Sequence, residues 1–182
     1  MPHPAIARLR ELLLAPASGG DPVDWSEIEQ TVGLALPADY REFVETYGGG
    51  EIDEYMCVLT PPVPGSPYGE LLDRITPVLS DLEDLRALLP PDVVPPLWPF
   101  ADLGEGDVAF WLREGAPDDW RVAVWQRQIA YGDNRWKVFD GGMAAFLLAV
   151  LTGQIAPFSD ELSDTDQHEF ESWRAWLKRW QQ

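Results

Sequence analysis

The chain has 182 residues, 46% of them hydrophobic and 24% charged, with 31 Asp and Glu against 13 Lys and Arg and a formal charge of −18. These proportions exclude a disordered chain of low hydrophobicity and predict one domain able to bury a core. The negative balance makes nucleic acid and anionic membrane poor partners and a basic protein a fitting one.

Apolar residues at Ile6, Leu9, Leu12 and Leu13 repeat on one helical face and predict a first helix over Pro4 to Ala15. Turn residues follow from Pro16 to Pro22. Asp24 with Glu27 three positions on forms a capping box for a second helix ending at Gly33. Leu36-Pro37 opens a third, with Tyr40, Phe43, Val44 and Tyr47 along one side and Gly48, Gly49 and Gly50 as its stop. Glu51 to Leu59 reads as the first strand. The stretch Pro61, Pro62, Pro64, Pro67 is loop, because proline cannot join a sheet centrally. Tyr68 to Leu89 has helical periodicity that Pro77 must split into two pieces. From Trp98 the period becomes two: Val108, Phe110, Leu112, then Trp120, Val122, Val124, then Trp136 and Val138, an antiparallel meander. Gly142 to Thr152 is a buried-type helix closed by Gly153, and Asp164 to Gln181 a final amphipathic helix.

The longest apolar run, Met143 to Leu151, is about half the roughly 18 residues of a membrane span. Arg8 and Arg10 interrupt the N-terminal apolar stretch, so it reads as a helix and not as a secretory leader. Cys57, His3 and His168 supply neither a disulfide nor four zinc ligands, and together these features predict a cytoplasmic protein with no metal and no cofactor. Asp160, Asp164 and Asp166 hint at calcium, but an EF-hand begun at Asp164 has Glu169 where Gly is needed and Ala175 where Glu is needed.

From Trp25 to Gly50 the residues Trp25, Ile28, Glu29, Gly33, Leu36, Pro37, Asp39, Tyr40, Phe43, Tyr47, Gly48 and Gly49 stand in an order that resembles the SUKH superfamily. The segments WPFADLGEGDVAFW from Trp98 and Phe139 to Gly153 are similar to that family's strand entry and closing helix. The resemblance spans residues 24–153, with 1–23 as an added helix and linker and 154–182 as an added amphipathic helix. It implies an α+β fold, N-terminal helices packed on an antiparallel meander. It also implies a non-enzymatic role, since bacterial members bind and neutralise toxins and fungal members regulate cell-wall assembly.

By their own chemistry the motif residues Trp25, Glu29, Gly33, Leu36, Pro37, Tyr40, Phe43, Tyr47, Gly48 and Gly49 read mainly as structural: helix faces, a possible Glu–Arg pair and helix stops. Catalysis would need an imidazole or a carboxylate pair in fixed geometry, and neither His3, near the chain start, nor His168, in an acidic segment, is promising. Net charges spread evenly would lie roughly 20 Å apart, beyond the Debye length of about 8 Å, so only clusters can steer a partner. The acids expected to meet a basic protein, a toxin domain being the leading kind, are Glu51, Asp53 and Glu54 after the glycine turn, and Asp102, Glu105, Asp107, Asp118 and Asp119 around the meander. The alternative is a regulatory or scaffold module that binds a cellular protein. Trp173, Trp176 and Trp180, with Phe170 and Leu177, form a stripe at helical spacing, read first as packing and second as a binding surface.

Overall fold

Proline at the first turn and Ile6, Leu9 and Leu13 facing inward make α1 (Pro4–Leu12) an amphipathic helix laid on the core. In α2 (Trp25–Val32) the Asp24 side chain accepts the Ser26 and Glu27 amides at 3.0 and 3.2 Å. Gly33, at φ 79°, ends the helix in the left-handed conformation. Pro37 stands at the N-cap of α3 (Ala38–Thr46), whose Tyr40, Phe43 and Val44 are buried. The computed structural model describes residues 3–74, 97–155 and 167–180.

Seven strands follow in one antiparallel sheet: β1 (Gly50–Ile52), β2 (Met56–Val58), β3 (Leu97–Leu103), β4 (Val108–Leu112), β5 (Arg121–Trp125), β6 (Trp136–Phe139) and β7 (Phe170–Ser172). Their spatial order is β6-β5-β4-β3-β2-β1-β7. Two further helices follow, α4 (Met143–Leu151) and α5 (Trp173–Trp180). The architecture is α+β, with helices at both ends of the chain.

Two expectations change. The single strand over Glu51 to Leu59 is a hairpin: Asp53 and Glu54 have φ 53° and 54°, and the Tyr55 amide bonds the Ile52 carbonyl at 3.0 Å. Two positive φ values twist the turn with the strands, and aspartate tolerates that conformation. The helix expected over Asp164 to Gln181 begins only at Trp173; Phe170, Glu171 and Ser172 pair with Ile52, Glu51 and Gly50. The open edge of β1 offers backbone partners, and that pairing overrides local propensity. Within Tyr68 to Leu89 residues 68–74 are described, and of these Leu71 to Arg74 are helical; the expected kink at Pro77 and the calcium-like aspartates lie outside the described residues.

The core lies between the helices and one face of the sheet. Trp98, Phe100, Trp111, Val122 and Val124 meet Tyr40, Phe43 and Phe146 there. The apolar repeats of β4 and β5 point to opposite faces, because Phe110 lies across from Ala123 and not from Val122. α4 is buried along nearly its whole surface and packs on α1, α3 and β5. Its N-cap, Gly142, has no side chain to cap with. Asp39 of α3 takes that role, accepting the Ala144 amide at 2.8 Å and the Tyr40 amide at 2.7 Å. Burial raises the Asp39 pKa above its ordinary value of 3.8, against the lowering effect of the Ala144 bond.

Candidate protein interface

Alternation along each strand turns every second side chain away from the helices. Register then aligns these outward positions in one row across the sheet. Glu171 stands opposite Glu51, Glu51 opposite Cys57, Cys57 opposite Asp102, Asp102 opposite Val108, Val108 opposite Trp125, and Trp125 opposite Trp136. One half of the row is acidic and the other apolar. Like charges face each other directly at Glu51 and Glu171, an unfavourable pairing that folding alone does not require.

Polar neighbours hold the acidic half in place. The Tyr68 hydroxyl donates to Glu51 at 3.0 Å, Arg74 grips Asp102 with two bonds of 3.0 and 2.6 Å, and Arg179 reaches Glu171 at 2.9 Å. Burial, then Asp102, Glu51 and Glu70, push the Cys57 thiol up to about 12. Burial, then the bond and charge of Glu51, raise the Tyr68 hydroxyl well above its usual range. Both groups are held neutral where they would otherwise gain negative charge, as a negative local field requires.

Beside the row lies a shallow depression lined by Glu51, Asp53, Glu54, Glu169, Glu171 and Arg179. Asp53 is committed internally: it meets His168 Nδ1 at 2.6 Å and accepts the Glu169 amide at 2.8 Å. The His168 ring is buried, and its Nε2 donates to the Leu151 carbonyl at 2.8 Å. With Nε2 spent on a carbonyl, this imidazole fastens β7 to the hairpin and to α4 and is not placed to take a proton from a substrate. His168 is one of the buried polar anchors of the fold.

The remaining expected contacts lie apart. Asp107 is buried and accepts the Arg127 amide at 2.8 Å. Asp118 accepts the Ala38 amide at 2.7 Å, which caps α3 from a 3-10 turn (Pro117–Asp119) that also holds the exposed Asp119. Glu105 belongs to the 3-10 turn Gly104–Gly106. Glu51, Asp53, Glu54 and Asp102 are therefore brought together, while Asp107, Asp118 and Asp119 stand elsewhere. Glu169 and Glu171, from the acidic run Asp160 to Glu171, complete the acidic face with Glu70 and Tyr68, none of them named among the expected contacts. The two-residue spacing of Glu169 and Glu171 was the available signal, read as part of a helix.

Motif residues have internal tasks. Tyr40 and Tyr47 hydroxyls donate to the Leu59 and Leu13 carbonyls at 2.7 and 2.9 Å. Trp25 Nε1 donates to Glu45 at 2.8 Å, Arg41 meets Glu29 at 3.3 Å, and Phe43 stacks on Tyr47. Leu36 and Pro37 are buried. Asp21, with a fully buried carboxylate, accepts the Gly49 amide, Trp173 Nε1 and Arg174 at 2.8, 2.9 and 2.7 Å. A Cβ on Gly48, whose φ is 73°, would lie 2.8 Å from that carboxyl group, so the glycine turn is built around Asp21. The aromatic stripe divides: Trp173 is buried, Phe170 packs on Phe43 and Tyr47 from a strand, and Trp180 is 70% exposed beside Trp176.

A sheet covered by helices on one face, with carboxylates ranked across part of the other, defines a class of α+β domain suited to presenting a charged surface. A family model described as SUKH_6, SMI1-KNR4 cell-wall, matches residues 23–141, and the chain belongs to that family within the SUKH superfamily. No curated protein and no solved structure gives a significant match. α1, α4, β7 and α5 fall outside the matched segment, so Glu169 and Glu171 come from a part of this chain beyond it. Among the described residues no helix is long and apolar enough to cross a membrane.

Proposed function

We propose that the chain is an immunity protein that binds a basic toxin domain through the acidic half of its open sheet face and neutralises it by covering or blocking its working surface. The observation that carries this reading is the pair Glu171 and Glu51 on the adjacent strands β7 and β1, with Glu54 and Glu169 at the hairpin tip and Asp102 on β3 beyond Cys57. Such a field speeds encounter with a positive surface, and the partner's cations relieve the repulsion left between Glu51 and Glu171 once Arg74 has paired with Asp102 and Arg179 with Glu171. The face works by binding, with no bond made or broken.

A second reading, a regulator or scaffold for a cellular protein, draws on the words cell-wall in the description of the matching family. Growth rescue separates the two. The chain, expressed with a cationic toxin domain encoded beside its gene, should restore growth, and the double variant Glu51→Lys, Glu171→Lys should lose the rescue while keeping its melting temperature. Rescue that survives this charge reversal removes the acidic face from the mechanism. Failure of the unmodified chain to rescue favours the regulatory reading.

A further inference from the structure

Trp98 on β3, Arg113 just after β4 and Trp120 just before β5 meet at one end of the sheet. The guanidinium carbon of Arg113 lies 3.9 Å from the Trp98 ring centre and 5.7 Å from that of Trp120. Trp98 and Trp120 meet edge to face at 6.0 Å, with Trp111 beside Trp120 at 6.1 Å. Both outer tryptophans are 3% exposed. The guanidinium thus lies over the Trp98 ring with Trp120 set edge to face beside it, a defined position for a normally mobile side chain.

Stacking occupies the face of a guanidinium and leaves its in-plane N–H fork unused. Arg113 Nε is buried without a hydrogen-bond acceptor, and so are the indole nitrogens of Trp98, Trp111 and Trp120. Among the described residues Arg113 forms no ion pair, although Arg41, Arg74, Arg121, Arg174 and Arg179 each hold a carboxylate. Scarcity cannot be the reason in a chain with 31 acidic residues. Buried donors without a protein acceptor are rare in native proteins, and four gathered in one cluster mark a place where water or a ligand supplies the acceptor. Partial burial lowers the Arg113 pKa, in keeping with a cation that lacks a neutralising neighbour.

We propose that Arg113, framed by Trp98 and Trp120, is a carboxylate-binding site. A carboxylate is planar with two acceptor oxygens and matches the guanidinium fork in a bidentate pair. Multiply charged phosphates fit less well, since the net charge of −18 repels them more strongly. The source of the carboxylate is either a small free acid or an acidic group of a bound protein. The inference does not rest on the toxin-binding reading, which concerns the opposite face of the sheet.

The test is a titration of the 15N-labelled protein, following the indole N–H resonances of Trp98 and Trp120 at constant ionic strength. Three probes are compared: acetate, glutamate blocked at both termini, and acetylglycine. Chloride and neutral acetamide serve as controls. Saturable shifts with at least one carboxylate and none with the controls are expected. Arg113→Met should abolish them, and Arg113→Lys, which keeps the charge and loses the fork, should weaken binding about tenfold or more. Acetate alone points to a free acid, blocked glutamate to a partner's side chain, and acetylglycine to a chain terminus. Absence of saturation with every carboxylate, equal shifts with chloride, or unchanged binding in a folded Arg113→Met protein overturns the site.

Discussion

Replacing Asp21 by Asn tests whether one buried carboxylate locks the C-terminal arm to the rest of the fold. One oxygen accepts from Arg174 and Trp173 and the other from Gly49, so an amide of the same shape must turn its NH2 group toward one of those donors. At least one bond to a charged group is lost, about 1.5–3 kcal/mol, and a donor is left facing a donor, about 1 kcal/mol or more. Arg174 is about a third exposed, so water recovers part of the ion pair, and a net loss of about 3 kcal/mol follows. For a chain of this length that lowers Tm by about 6–12 °C. Asp21→Ala should cost somewhat more, and Arg174→Gln about 1 kcal/mol or less, because the carboxylate keeps its two other donors. Urea denaturation gives the stabilities, and hydrogen exchange at the Gly49 amide reports the local effect. A stability change below about 0.5 kcal/mol for Asp21→Asn would falsify the clasp and leave the arm held by packing alone.

Asp39→Asn should change the pH dependence of stability. The folded-state pKa of Asp39 is raised, so the fold binds this proton more tightly than the unfolded chain, and its contribution improves as pH falls through the folded value toward 3.8. The stability of the unmodified protein relative to Asp39→Asn should therefore rise on acidification, and equal slopes in paired urea titrations would refute the assignment. Gly48→Ala should destabilise more than Gly33→Ala: both have positive φ, which costs about 1–2 kcal/mol, but only at Gly48 does the added carbon collide with Asp21. Equal midpoints in urea would contradict that difference. Cys57, with its thiol pushed up to about 12, should alkylate at pH 8 at least about tenfold more slowly than a free cysteine and normally once unfolded. Glu51→Gln should speed the reaction in the folded state; no change would mean that burial alone protects the thiol.

Local chemistry made the first third of the chain legible. Asp24, Gly33, Pro37 and the face of Tyr40 and Phe43 act within one or two turns of where they stand, through capping and periodicity that need no distant partner. The meander was readable for the same reason, since alternation is a property of each strand alone. Of the acidic face, Glu51, Asp53, Glu54 and Asp102 were visible as clustered charge near turns, but their placement on one surface was not.

What only the tertiary structure decided joins residues far apart in the chain. Asp53 meets His168 across 115 positions, Asp39 caps α4 across 105, and Asp21 holds Trp173 across 152. Buried polar groups take whichever partner the packed fold brings within reach, and a free strand edge takes whichever segment can supply matching amides and carbonyls. That is why Phe170 to Ser172, with helical spacing in sequence, became a strand, and why Glu169 and Glu171 joined the acidic face. Composition and periodicity determined that this chain would be acidic, with helices around an antiparallel meander; sheet register determined where the acid would stand.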